Sequence, residues 1–369
     1  VQLSSMSLSL LACPVAAAMV TGRAGPVQMN AAEAAAKQAW LSRLDAPQWG
    51  AVTNVDASSL TQATYGSVVP MSEDQARAAW LANLDQGWAG AKAYANLPAS
   101  VKPGVVTGQA LMDLLDDAKT RGYAIPAVNC VTSSSVNACL EAAAKAQAPV
   151  MIQFSSGGSQ FYAGKGLDNT NYAAAVSGAV SGAYHVRRLA AQYGVPVILH
   201  TDHCAKGLLP WVDGLLDESE AYYQAYGEPL FSSHMLDLSE EPLEENIEIC
   251  VDYMHRMGRM DMLLEMELGI TGGEEDGVDN ENANPEDLYT KPEEVWMVQE
   301  ALQQVPNAKF TIAAAFGNVH GVYAPGNVQL DPKILRNSQS YISQRLGYPE
   351  GSKPCSFVFH GGSGSDIHD

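Results

Sequence analysis

The sequence predicts an α/β fold, a TIM (βα)8 barrel, and three observations carry that expectation. Short apolar runs recur roughly 25–45 residues apart, the spacing of repeated βα units. Ala- and Leu-rich helical stretches lie between them. Almost every run ends in polar or ligating side chains, which a barrel gathers around one functional mouth.

In chain order the runs are Tyr123–Val128, Pro149–Phe154, Val195–Leu199, Leu230–Met235, Met262–Leu268, Phe310–Phe316 and Ser356–Phe359. Seven such units favour a closed barrel over an open sheet. Ser135–Gln147 and Tyr172–Tyr193 are two of the helical stretches between them. The strand ends supply Asn129, then Ser155 to Gly158, then His200-Thr201-Asp202-His203. His234 and Asp237 follow, then Glu265 and Glu267, Asn318 and His320, and His360-Gly361-Gly362.

Upstream of these units the composition changes. The chain of 369 residues carries 21 basic and 41 acidic groups, a net charge of -20. That balance excludes nucleic-acid and polybasic membrane binders, which need a basic face for phosphates. The first hundred residues are nearly neutral and hold four of the six Trp (40, 49, 80 and 88). Residues 1–28 contain the apolar run Leu8–Val20, too short to span a bilayer, and read as a targeting leader or a tail. Residues 29–97 contain two copies of a unit with a period of 40, AEAAAKQAWLSRLDAPQWG at 32–50 and SEDQARAAWLANLDQGWAG at 72–90. Each is a short amphipathic helix that either docks a partner through its Trp or packs on its own domain. Pro98–Gly104 reads as a linker, and residues 98–369 as the barrel. The six Cys are scattered without a CxxC, which suggests free thiols and a reducing compartment.

The chemistry lies at the strand ends. His203, His320 and His360 offer three imidazoles from three strands, the donor set of a catalytic zinc with an open position. Glu267 is an alternative ligand, and Asp202 is an acid/base group beside His203. The segments Gly317–Gly321 and His360–Ser365 expose backbone N–H groups suited to a phosphate. The loop GITGGEEDGVDN at 269–280 has the glycines of a mobile lid that carries Glu274 and Glu275, or it is a solvated surface loop.

Several long segments resemble class II fructose-1,6-bisphosphate aldolase, in its long-chain branch. They are PAVNCV at 126–131, ILHTDHCAKGLLPWVDGLL at 198–216, PLFSSHMLDLSEEPLEENIEIC at 229–250, LEMELGITGGEEDGVDN at 264–280, AAAFGNVHGVYAPGNV at 313–328 and VFHGGSGS at 358–365. The resemblance covers about residues 101–365 in order. It implies reversible cleavage of fructose 1,6-bisphosphate to dihydroxyacetone phosphate and glyceraldehyde 3-phosphate, in glycolysis, gluconeogenesis or the Calvin cycle. It implies Zn2+ on His203, His320 and His360, with Glu267 at an inward position, and no lysine imine. Asp202 is then the acid/base group for the C4 oxygen. Glu275, with Glu274 beside it, moves the proton at the dihydroxyacetone phosphate carbon.

The resemblance further implies that Asp237 supports the metal and substrate region, and that Asn129 and Ser155 contact substrate. Gly321, Gly361 and Ser363 cradle a phosphate, with K+ or Na+ held by backbone carbonyls near Val319, Gly321 and Gly361. A homodimer is expected, and the leader suggests a plastid, otherwise the cytoplasm. The family's Asn-x-Asp-Thr-Asp strand and a later Arg have no counterpart here, so the expected barrel lacks its eighth strand and C-terminal helices. Competing readings are an aldolase for another ketose bisphosphate such as tagatose 1,6-bisphosphate, and a non-catalytic binder that uses the Trp repeats.

Overall fold

A computed structural model describes residues 96–269, 288–318 and 330–361, and the backbone of Gly273–Glu275 and Val278–Asn280. The leader and both Trp repeats lie outside the described residues. The chain divides into two compact units, Val1–Arg77 and Ala78–Asp369, and every described residue belongs to the second.

The described residues alternate strand and helix. The order is β1 (Gly104–Val105), α1 (Gly108–Arg121), β2 (Ala127–Asn129), α2 (Ser133–Ala146), β3 (Val150–Phe154), α3 (Ser156–Ala163) and α4 (Ala173–Tyr193). Then come β4 (Pro196–Thr201), α5 (Leu209–Tyr226), β5 (Ser233–Leu236), α6 (Leu243–Gly258) and β6 (Leu263–Leu268). A ribbon of β7 (Gly273–Glu275) and β8 (Val278–Asn280) follows, then α7 (Pro292–Leu302), β9 (Phe310–Ala314), α8 (Lys333–Leu346) and β10 (Phe357–Val358).

All seven apolar runs contain strands. They pair in chain order, β2-β3-β4-β5-β6-β9-β10, and every pair is parallel. The result is the curled sheet of a TIM-barrel-like α/β fold, with helices as the crossovers. Among the described residues β2 and β10 form the two edges, and they do not pair with each other.

The segment read as a linker is partly structured. Gly104 and Val105 pair with Pro196 and Val197 of β4, and Val101 and Val106 are buried. Higher up, β5 takes over the same edge of β4 at His200 and Thr201. Ser232 stitches the step: its hydroxyl donates to the Val106 carbonyl at 2.7 Å and accepts from the Leu199 N–H at 2.9 Å. The acidic glycine loop contains local pairing. Its backbone forms an antiparallel ribbon, with Glu274 opposite Asp279 and Glu275 opposite Val278.

The period-2 alternation of strand side chains divides the apolar residues into two clusters. One face of β4 and β6, with Val197, Leu199, Leu264, Met266 and Leu268, packs under the helices in the large core. The other face contributes Ile198 and Leu263 to a small plug with Val101, Val106, Leu111 and Leu114. Helix α1 therefore covers the N-terminal ends of the strands with buried leucines, each worth about 1.5–3 kcal/mol of burial. Helix α4 needs small residues to approach the sheet. A Cβ on Gly178 would meet the Ser159 carbonyl oxygen at 1.8 Å, and one on Gly182 would meet the Phe154 ring at 2.4 Å.

Candidate active site at the strand ends

At the C-terminal ends of β4, β5, β6 and β10 the inward positions become charged. Asp202, His203, Asp237, Glu265 and Glu267 are all buried, and His360 is half-buried. Burying so many ionisable groups is costly unless they pair or hold a metal.

His203 and His360 form the centre. His203 Nδ1 lies 2.9 Å from Asp237 Oδ2, and His360 Nε2 lies 2.9 Å from Glu265 Oε1. Each imidazole thus uses its outer nitrogen as an N–H donor to a carboxylate. The inner nitrogens, His203 Nε2 and His360 Nδ1, face each other at 3.1 Å. Tetrahedral zinc with Zn–N near 2.0–2.1 Å needs its ligand nitrogens about 3.3 Å apart. Outer nitrogens on carboxylates with inner nitrogens convergent is the arrangement of histidine metal ligands. The donor set therefore fits a divalent ion.

Asp202 completes this group. Its Oδ2 accepts from Asn129 Nδ2 at 2.6 Å, and its Oδ1 lies 3.9 Å from His203 Nε2. Oδ1 is buried and has no hydrogen-bond partner among the described residues. Asp202, His203 and His360 present ligand atoms within 4.8 Å of one another, and so do His203, Asp237 and Glu267. Glu267 Oε2 lies 3.4 Å from His203 Nδ1, the nitrogen that points away from His360. Glu267 and His360 thus address opposite sides of the His203 ring.

The electrostatics follow from this geometry. Burial would raise the Asp237 carboxyl, but the hydrogen bond and charge of His203, with Ser239, hold it at about 2. Burial opposes ionisation of Asp202 too, and the charges of His203 and His360 with the Asn129 hydrogen bond overcome it, so its pKa is lowered. Burial lowers His360, yet Glu265 lifts it to about 9. Burial likewise lowers His203, and Asp237 and Glu267 raise it well above the ordinary histidine value. At 3.1 Å the facing nitrogens cannot both carry a proton, so a cation between them would replace the shared one.

Other expected residues fall as follows. Ser155 spends its hydroxyl as the cap of α3, accepting from the Gly158 N–H at 3.2 Å. Gly361 has φ +72°, which favours glycine, directly after His360. His320, Val319, Gly321 and Ser363, and the side chains of Glu274 and Glu275, lie outside the described residues.

Three supports were not assigned from the sequence. Glu265 anchors His360, as above. His200 Nδ1 lies 2.7 Å from Ser233 Oγ, and its Nε2 lies 3.8 Å from Glu265 Oε2. Asn318 Nδ2 donates to the His360 carbonyl at 2.8 Å and joins the end of β9 to that of β10. The available signal was alternation: His200 and Glu265 stand two residues before Asp202 and Glu267 on the same inward faces.

A cavity of ≈ 880 Å³ runs from this mouth between the edges β2 and β10. Asn129, Gln153, Asp202, Glu265, His360 and Gly361 line its polar end. Lys119 of α1 also lines it and pairs with Asp116 at 2.9 Å.

Comparison with known proteins shows the family. Residues 109–369 match the family model described as fructose-bisphosphate aldolase class-II. The chain is 58% identical over 270 residues to the Escherichia coli K12 protein named fructose-bisphosphate aldolase class 2, covering 73% of this chain and 74% of that protein. It is 53% identical over 272 residues to the Neurospora crassa fructose-bisphosphate aldolase, covering 73% and 74%. The crystal structure of the Campylobacter jejuni fructose-bisphosphate aldolase superposes with a TM-score of 0.64 at 53% identity, covering 73% of each chain. On its matched length, its strand order and its paired histidines, the chain belongs to the class II fructose-bisphosphate aldolase family.

Proposed function

We propose that this chain catalyses reversible aldol cleavage of fructose 1,6-bisphosphate. One observation carries the chemistry: a buried, ionised Asp202 with one oxygen held by Asn129 and the other without a partner among the described residues, beside two imidazoles whose ring nitrogens face each other at 3.1 Å. The Asn129 amide fixes the carboxylate plane, and Oδ1 accepts the proton of the C4 hydroxyl during cleavage. The same oxygen returns that proton in condensation.

His203 and His360 would hold the metal, and we take it as zinc from the nitrogen donors and the family. A bound zinc supplies a Lewis acid that polarises the ketone oxygen and stabilises the charge left when the C–C bond breaks. Asp237 and Glu265 fix the outer ring nitrogens, so neither imidazole must reorganise. Glu275, on the ribbon that follows β6, is assigned the proton transfer at the dihydroxyacetone phosphate carbon. The backbone around Gly361 is assigned a phosphate and a monovalent cation, K+ or Na+. The cavity is large enough for a sugar bisphosphate.

The test is cleavage with and without a chelator. Activity should vanish on chelation and return with Zn2+, and His203→Ala should lose both bound metal and at least about a thousandfold in rate. Chelator-insensitive activity, or borohydride trapping of substrate on a lysine, would refute the reading.

A further inference from the structure

Two thiols meet next to the acid/base group, and the mechanism uses neither. Cys130 and Cys139 place their sulfur atoms 3.7 Å apart. Cys130 is fully buried at the end of β2, directly after Asn129. Cys139 sits in α2 and is the one described cysteine that is not buried.

The connection between them is held by reciprocal hydrogen bonds. Thr132 caps α2: its hydroxyl accepts from the Ser135 N–H at 3.1 Å. Ser135 Oγ accepts in return from the N–H groups of Val131 and Thr132, at 3.2 and 3.1 Å. This strand-to-helix turn fixes the approach of the two sulfurs. The Cys130 N–H donates to the Gln153 carbonyl at 2.9 Å, so its backbone is part of the sheet ladder.

We propose that Cys130 and Cys139 are a reversible disulfide site that lowers the activity of the neighbouring mouth, with a peroxide as oxidant. The half-buried Cys139 reacts first. Its sulfur attacks a peroxide oxygen, the O–O bond breaks, and a sulfenic acid and one water form. The Cys130 sulfur then attacks the Cys139 sulfur. The sulfenic oxygen leaves with the Cys130 proton as a second water, and the S–S bond forms. Two thiols lose two electrons, and the peroxide gains them. An external thiol reverses the step by exchange.

The link to activity is geometric. Bonding brings the sulfurs from 3.7 Å to about 2.05 Å, and we take part of that closure to fall on the end of β2, whose last residue is Asn129. Asn129 precedes Cys130 and holds Asp202 at 2.6 Å. Displacement of that order at a catalytic group costs about tenfold or more in rate.

The experiment treats the full chain with hydrogen peroxide, alkylates the denatured protein, and digests it with trypsin. Both cysteines fall in one peptide, Gly122–Lys145. The expected result is that peptide two hydrogens lighter and unalkylated, with cleavage down about tenfold and restored by dithiothreitol. Cys139→Ser should keep its activity in peroxide. Alkylation of both cysteines after peroxide, an unchanged rate once the bond has formed, or equal inactivation of Cys139→Ser would each overturn the proposal. The mass readout is independent of the aldolase reaction, and only the rate readout presupposes it.

Discussion

Along β4, Ile198 packs into the apolar plug, while Asp202, four residues on, lines the mouth of the cavity. Along β6 the same inward face runs from Leu263 through Glu265 to Glu267. The two ends of one strand thus serve opposite purposes. The N-terminal end excludes water with leucine and isoleucine and has no titratable group in its cluster. The C-terminal end buries carboxylates and imidazoles, and holds them through reciprocal hydrogen bonds. The lesson is that stability and chemistry are separated along the strand axis, within about 10–15 Å of each other.

The separation can be broken experimentally. Asp202→Asn removes the proton acceptor and should lower kcat by roughly a thousandfold with a small change in melting temperature. A large loss of stability instead would mean that the mouth also supports the fold. Leu263→Ala tests the opposite end. It should cost about 2–5 kcal/mol in denaturant unfolding, with kcat of the folded enzyme within about twofold. A much larger fall in kcat would show that the plug sets the geometry of the mouth.

A smaller effect sharpens the boundary between the two ends. His234, at the C-terminal end but outside the metal groups, is fully buried and lies 2.7 Å from Thr201 Oγ1. Burial, then the charge of His200, depresses it to about 3. The unfolded chain takes up a proton near pH 6.5 that the folded chain refuses until about pH 3. Below pH 6.5 the unfolded state therefore binds more protons, and this residue costs up to about 1.4 kcal/mol of stability per pH unit. His234→Gln should be less stable at neutral pH, and its gap to the unsubstituted protein should close on acidification. Parallel stability curves from pH 7 to pH 4 would remove His234 from that account.

How much of this was legible in the sequence follows the same axis. The five inner runs were readable because buried parallel strands are continuous apolar segments, and the two edge runs were readable from their apolar sequence alone. Their polar ends were readable because His, Asp and Glu there interrupt apolar sequence. Strand β1 was not, since Gly104 and Val105 pair only through the tertiary edge left by β4. The β7–β8 ribbon was not, because Gly, Glu and Asp are poor strand formers and the pairing there is local backbone. The partnership of Glu265 with His360 spans 95 residues and leaves no local pattern. Cys130 and Cys139 are only nine residues apart, yet they read as scattered free thiols because their contact depends on how α2 lies on β2.

One feature also orders events in time. The two potential ligand groups close at different points of synthesis. His203, Asp237 and Glu267 are all available once residue 267 has emerged, whereas the imidazole pair spans 157 residues and waits for His360. Residue 360 follows residue 267 by 93 residues, so at roughly 5–20 residues per second the ribosome needs about 5–19 s to pass from one point to the other. A nascent barrel therefore passes through a stage in which His203 has its carboxylates but not its partner. An ion held by the inner nitrogens would then be acquired late, once the strands from β2 to β10 have been made.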